Sequence, residues 1–265
     1  MKTPGFRLLV DVVSRVAGLG ALLAGVACGG GVPLMHGAHP LAPGHVRLGA
    51  GLSASLTASE AAKIVSGAVV DGDAAVLQEA AAPSALAPWI GGRMGFEGGY
   101  DAGLTYTGRV IRLDGRRSFS LGDGGMALSL GLAASGVLPK RHDDLGLRTG
   151  GFGADLPIVL GYRGSGGRYA VWLGLRGGAE ILNGQRERVQ DAGLDPLAPL
   201  PSDALEAWHA QGGALLGFRI GVGRIDAVFE LGGAMHFARG SLGEVELEIR
   251  RFDVRPATAL VGRFD

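Results

Sequence analysis

The chain has 265 residues, and 25 Lys plus Arg balance 25 Asp plus Glu for a formal net charge of zero. That excludes a basic field for nucleic acid and an acidic solvating tail. One cysteine excludes an internal disulfide and a cysteine-based metal cluster. Glycine is the outlier, with 49 residues, more than twice the ordinary share of ~7%. It has no G-X-Y period and is interleaved with Val, Leu and Ala. This points to strands with one crowded face, bending into a narrow barrel where a missing side chain relieves congestion.

In chain order, Lys2, Arg7 and Arg15 precede an apolar run from Val16 to Ala27 that carries no charge. The run fits the ~7–15 residues of a signal-peptide core and falls short of the ~20 of a spanning helix. Gly25-Val26-Ala27 satisfies the small-x-small cleavage rule, so residues 1–27 read as an export signal. Cys28 follows at once. The segment resembles the lipobox of bacterial lipoproteins, which implies lipidation of Cys28, although Gly25 stands where that pattern usually has Leu. Residues 28–43 are rich in Gly, Pro and His and read as a tether. His36, His39 and His45, in or beside that tether, have no fixed geometry for a metal and are expected to be surface groups. No cofactor is implied.

From residue 44 to 265 the pattern has period two, the strand signature. Val46 to Leu56, Ile90 to Phe96, Tyr100 to Tyr106 and Met126 to Ala134 each alternate apolar with small or polar residues. Further apolar rows run through Leu156 to Tyr162, Val171 to Leu175, Ala210 to Val222 and Ile225 to Phe237. Val245, Leu247 and Ile249 begin the last segment. Segments near ten residues match tilted membrane strands of ~9–11, not soluble strands of ~5–6. Long gaps (Thr57 to Pro88, Pro139 to Gly151, Leu182 to Glu206) alternate with tight ones near Gly98, Gly164 and Gly223. The fold expected is therefore all-β: a closed antiparallel transmembrane β-barrel of about ten strands. The weak strand from Arg109 to Phe119 leaves eight and twelve open. Glu60 to Val70 and Ala74 to Ala82 could form short helices in the first long gap, with Ser59 as an N-cap. A phase slip near Arg250-Arg251-Phe252 suggests a bulge, and Pro256 belongs at a bulge or a strand start.

The C-terminus, Ala257 to Phe264 followed by Asp265, resembles the assembly strand of outer-membrane barrels, with Phe264 penultimate. Gly99-Tyr100-Asp101-Ala102-Gly103-Leu104-Thr105-Tyr106-Thr107-Gly108 and Gly150-Gly151-Phe152-Gly153-Ala154-Asp155 extend the likeness. Residues 44 to 265 resemble the Gly-rich outer-membrane β-barrel proteins of Gram-negative bacteria. The resemblance implies a fold and a bacterial outer-membrane location, with outer-membrane lipid as neighbour and no specific activity.

With apolar rows toward lipid, the opposite rows carry lumen charges: Arg47, Arg93, Arg112, Asp114, Arg116, Arg176, Arg219, Asp226 and Glu230, with Asp101 and Asp155. Opposite charges in so narrow a space should pair as a polar plug. Arg141-His142-Asp143-Asp144 is a weak general-base candidate, because adjacent loop residues rarely converge on one atom. The chain is expected to be no enzyme. The leading expectation is a structural or surface-interaction barrel that meets a partner through its outer loops. A narrow small-solute or ion channel stands second, and a rim enzyme acting on lipid or peptide third.

Overall fold

Period-two alternation becomes ten antiparallel strands in the computed structural model, which describes residues 32–66, 73–123, 125–142, 147–187 and 202–264. The expected signal and Cys28 lie outside these residues. The strands are β1 (Val46–Ser66), β2 (Ala85–Phe96), β3 (Tyr100–Tyr106), β4 (Val110–Leu121) and β5 (Met126–His142). They continue with β6 (Leu147–Arg163), β7 (Tyr169–Glu187), β8 (Ser202–Val222), β9 (Ile225–Leu242) and β10 (Val245–Phe264). One helix, α1 (Asp73–Ala81), stands between β1 and β2. Each strand pairs with its sequence neighbours, and β1 pairs with β10 from Val46↔Phe264 onward, so the sheet closes into a barrel.

At one end, here the turn end, the connections are tight. Between β2 and β3, Gly98 and Gly99 take φ of 74° and 78°, the left-handed region that side chains resist. At the other, loop end, the long expected gaps shrink because the strands run on. β1 continues to Ser66, β5 and β6 break only between His142 and Leu147, and β7 and β8 between Glu187 and Ser202. The stretch from Glu60 to Ser66 is therefore strand and not helix, and Ser59 caps nothing. The second expected helix appears as α1, and the weak segment after Arg109 is β4. Pro139 lies where the β5–β6 register shifts, between Val137 and Lys140, a place that needs no donor.

The phase slip expected in β10 does not occur. Leu247, Ile249, Arg251 and Asp253, and later Ala259 and Val261, all point inward with unbroken parity. The bulge is on the partner strand, where Thr57 pairs with Asp253 but Ser59 with Phe252. What changes along β10 is polarity. Val245, Leu247 and Ile249 are apolar yet inward, packed on Val76, Leu77, Ala80 and Ala81 of α1. Leu147, Leu182, Leu205 and Leu242 close the same cluster from β6, β7, β8 and β9. At that level the outward residues are polar, including the ion pairs Arg239–Glu246 at 3.1 Å and Arg250–Glu248 at 3.0 Å.

Below that level the assignment is reversed. On β7 the outward Tyr169, Val171, Leu173, Leu175 and Ile181 are exposed, and Asn183 and Gln185 follow. Tyr169 to Ile181 is about 40 Å of strand, or roughly 28 Å across a bilayer at ~45° tilt. That matches the ~30 Å hydrocarbon core. Trp208, Phe152 and Phe237 mark the same upper boundary on neighbouring strands. An apolar exterior of this height, closed without an edge, is the surface of a membrane-spanning barrel. The loop end rises above it as a water-facing barrel with its own apolar core.

The boundary makes a test. Leu173→Arg should lower barrel stability by ~2–4 kcal/mol, and Gln185→Arg, outward but above the belt, should change it little. Urea unfolding in lipid vesicles measures both. Equal losses would misplace the belt.

Candidate functional site

The pairing register brings inward charges from five strands, β2, β3, β4, β6 and β7, to one level. Asp101 on β3 stands opposite Arg116 on β4, and Thr105 opposite Arg112. Ala133 on β5 pairs with Asp155 on β6, and Pro157 with Arg176 on β7. Small residues opposite the charges leave room for long side chains; a methyl at Gly131 would press on Arg116. Asp155 accepts two guanidinium forks: Arg112 at 2.9 and 2.9 Å, and Arg176 at 2.9 and 2.8 Å. Arg112 also reaches Asp114 at 2.7 Å, and Arg116 holds both oxygens of Asp101 at 2.7 and 2.9 Å. Arg93 joins the two halves by donating to Asp101 and Asp114. The fork geometry is what guanidinium offers and ammonium does not.

The segment from Val32 to Leu41 runs inside this ring, and Ala42 to Gly44 are exposed beyond it. Residues 28–43 are expected to be a tether; of these, Val32 to Leu41 are instead packed in the lumen, because the charges that line the barrel also serve its backbone. Both oxygens of Glu230 accept backbone N–H groups, from Leu34 and Met35, each at 2.9 Å. Arg176 donates to the Val32 carbonyl. Arg116 donates to the Gly37 carbonyl, to the His39 carbonyl at 3.1 Å and to His36 Nδ1 at 2.7 Å. Leu34, Met35 and Ala38 fill the space between Trp89 and Trp172. Met35 takes φ 53°, a strained conformation for a side-chain residue. The Glu230 clamp on its N–H helps to hold it there.

His36 is a core group and not a surface one. A guanidinium cannot accept, so Nδ1 does, and the neutral imidazole carries its proton on Nε2. Burial, reinforced by the nearby Arg116, holds its pKa well below the ordinary histidine value. His39 donates from Nε2 to the Gly125 carbonyl at 2.8 Å.

A second polar row lies toward α1. Arg255 Nη2 meets His236 Nε2 at 2.6 Å, His236 Nδ1 meets His209 Nε2 at 2.8 Å, and His209 Nδ1 meets Glu180 at 3.1 Å. Because Arg255 can only donate, the chain has one direction: Arg255 to His236 to His209 to Glu180. Two stacked neutral imidazoles, with centroids 5.0 Å apart, thus link a cation to an anion. Beside them Arg251 pairs with Asp253 at 2.5 Å, and Ser55 donates to Asp253 at 2.6 Å. Above, Arg109 donates to the Glu79 and Ala80 carbonyls at 3.3 and 3.4 Å. It therefore sits at the C-terminus of α1, where a cation is favoured.

The structure thus places Arg93, Arg112, Asp114, Arg116 and Arg176 in one network, with Glu230 on the N-terminal segment. Arg47, Arg219 and Asp226 lie apart, at the turn end. The sequence reading missed Glu180, His209, His236, Arg251, Asp253 and Arg255. Parity would have found them: stepping by two from Arg219 reaches His209, and from Glu230 reaches His236. His142 ends β5, and Asp143 and Asp144 lie outside the described residues, so no geometry joins them. Among the described residues no group of three His, Cys, Asp or Glu is arranged to hold a metal.

No known protein family and no curated protein matches the sequence. Three solved structures are similar in outline. The outer membrane protein OprG from Pseudomonas aeruginosa is 10% identical, covers 85% of this chain and 97% of its own, and has a TM-score of 0.40. Ail, the attachment invasion locus protein of Yersinia pestis, is 9% identical, with 84% and 100% covered and a TM-score of 0.26. The Pseudomonas putida toluene transporter TodX is 7% identical, with 83% and 90% covered and a TM-score of 0.28.

Asp155→Ala would leave Arg112 and Arg176 buried without their shared carboxylate, and should cost roughly 3–5 kcal/mol. Urea unfolding in vesicles reads the loss. Adding Arg176→Leu should recover part of it, since one stranded cation is then gone. A variant as stable as the parent would mean the network contributes nothing.

Proposed function

We propose that this chain is an exported bacterial outer-membrane barrel that is closed by its own N-terminal segment and first loop. In this reading its loop-end rim is the working surface for a partner. One observation carries the reading: the lumen is filled at both ends. The α1 cluster occupies the loop end, and Leu34 to Leu41 with the Trp89 and Trp172 rings occupy the turn end. Between them remains a cavity of about 70 Å³, lined by Arg176, His209, His236 and Arg255. That is room for a few waters, not for a column of them. Strands that rise beyond the lipid around an apolar core supply a rigid platform, which suits surface interaction better than permeation.

A narrow channel is the second reading, and a separate observation favours it. The N-terminal segment is held by side-chain clamps from Glu230, Arg116 and Arg176 and is not a strand of the wall. It could leave without breaking the barrel.

Planar-bilayer recording separates the two. The parent should pass no steady current, and deletion of residues 32–43 together with α1 should produce a stable conductance. Steady current from the parent would put the channel first. The proposal also includes cleavage after Ala27 and acylation of Cys28. The intact mass of the mature protein should begin at Cys28 and carry acyl chains. A mass equal to the bare polypeptide would remove the lipid from the reading.

A further inference from the structure

At the turn end, a cavity of about 50 Å³ lies between the N-terminal segment and the barrel wall. It has an unusual lining. His36 Nε2, Arg47 Nε, Trp89 Nε1 and Arg219 Nε are all buried N–H groups with no hydrogen-bond partner, and all four residues line this one cavity. The tautomer set by Arg116 makes His36 Nε2 a donor. The lone carboxylate among them is Asp226, fully buried with both oxygens also unpartnered. Arg219 and Arg263 stand 3.6 and 3.5 Å from Asp226, too far for direct hydrogen bonds. Arg219 and Arg263 therefore form only loose ion pairs with Asp226, while each donates to a turn carbonyl, Gly167 and Gly223, and Arg47 lines the same cavity, an arrangement unlike the tight forks on Asp155.

Buried donors left unmade are costly, and native structures satisfy nearly all of them. Here donors outnumber acceptors and cations outnumber anions by two. A group with several acceptor oxygens and two negative charges would satisfy both imbalances, and guanidinium groups bind such a group well. The approach is favourable as well. Arg163, Arg168 and Arg224 are exposed on the turns around this mouth. The turns lie side by side, because the Gly221 N–H donates to Arg168 O at 2.6 Å and the Arg263 N–H to Arg224 O at 2.9 Å. Glu97 and Asp123 are exposed on the other two turns of this end, so the positive charge is gathered on the β6–β7 and β8–β9 side of the mouth, where it favours an anion.

We propose that the turn-end mouth of the lumen is a binding site for a phosphate-type oxyanion, held by Arg47, Arg219 and Arg263 with His36 and Trp89 as neutral donors. The oxyanion is either free phosphate or the phosphomonoester of a lipid headgroup, since a phosphodiester carries only one negative charge. Asp226 is the internal competitor that keeps the site from being charged too positively when empty. The site does not depend on whether the barrel conducts, so failure of the plug reading leaves it standing.

The test uses the full mature chain, refolded in phosphate-free detergent and checked for heat-modifiable migration. Inorganic phosphate is titrated by calorimetry against sodium chloride of equal ionic strength. The parent should bind phosphate saturably, and Arg47→Gln should weaken binding about tenfold. Arg47→Lys keeps the charge without the fork and should fall between the two. Asp226→Asn should bind about tenfold more tightly than the parent, which a cluster serving only to hold Asp226 would not do. Repeating the titration in phosphatidylcholine vesicles with and without phosphatidic acid identifies the source. Competition by phosphatidic acid assigns the site to a headgroup, and its absence to free phosphate. No saturable binding beyond the chloride control, or equal binding by the parent and all three variants, overturns the proposal.

Discussion

Closure of β1 on β10 is the constraint from which the rest of the structure follows. In hydrocarbon no water can satisfy a strand edge, so each backbone group must find its partner around the ring. Ten strands then fix a narrow interior. Side chains there have no freedom to avoid one another, and the sequence answers with inward small residues. A methyl at Gly217 would overlap the Trp172 indole, and one at Gly49 would press on Trp89. The large rings and the guanidinium groups occupy the volume that the glycines vacate. Confined charges must then pair, because neither water nor distance separates them. The Asp155 double fork and the Arg93 bridge are consequences of ring size as much as of residue choice.

The same ring meets two solvents along its length, and its polarity inverts between them. In lipid the wall is apolar outside and charged within. Above lipid, Glu246, Glu248 and Arg250 face water while Val245, Leu247 and Ile249 turn inward onto α1. Strand parity is continuous across the change, so the inversion is written in residue type alone. It also explains why a helix lies in this lumen. A widely apolar interior above the membrane needs apolar filling, and Val76 and Leu77 provide it. Arg109, at the C-terminal carbonyls of α1, ties that filling to the β3–β4 turn.

Much of this was legible in the sequence, and the failures share one cause. Alternation located the strands and their number, because a period of two survives whatever the solvent. The outward rows of β5 to β9 could be read directly, since lipid demands apolar residues without exception there. Reading stopped where apolar no longer meant outward. Glu60 to Ser66 reads as a short helix because its exposed residues show no alternation, and the ends of β7 and β8 read as loop because their outward residues are polar. The inversion in β10 looked like a slip of phase, so Arg251, Asp253 and Arg255 were not recognised as lumen residues. The N-terminal segment was illegible for a different reason. Its sequence has no period, and it is ordered by hydrogen bonds from its backbone to Glu230, Arg116 and Arg176, which no local pattern records.

That segment also shows how the lumen's charges divide their labour. Paired arginines alone could fill a barrel, but they would hold it by mutual attraction in whichever arrangement relieved most charge. Backbone groups of the N-terminal segment remove that freedom. Glu230 accepts from two adjacent N–H groups, while Arg176 gives its fork to Asp155. Arg116 gives one side to Asp101 and the other to Gly37, His36 and His39. Each charge that faces the segment is thereby committed to one partner set, and the ring around it adopts one arrangement. The φ of Met35 is the local cost of fitting two successive N–H groups to one carboxylate. The unsatisfied cluster at Arg47, Arg219 and Asp226 lies across a cavity from the segment, which lines it with Leu34 to Gly37 but does not hydrogen-bond to its charges. Where the chain supplies partners the charges are satisfied, and where it does not they are left for something else to fill.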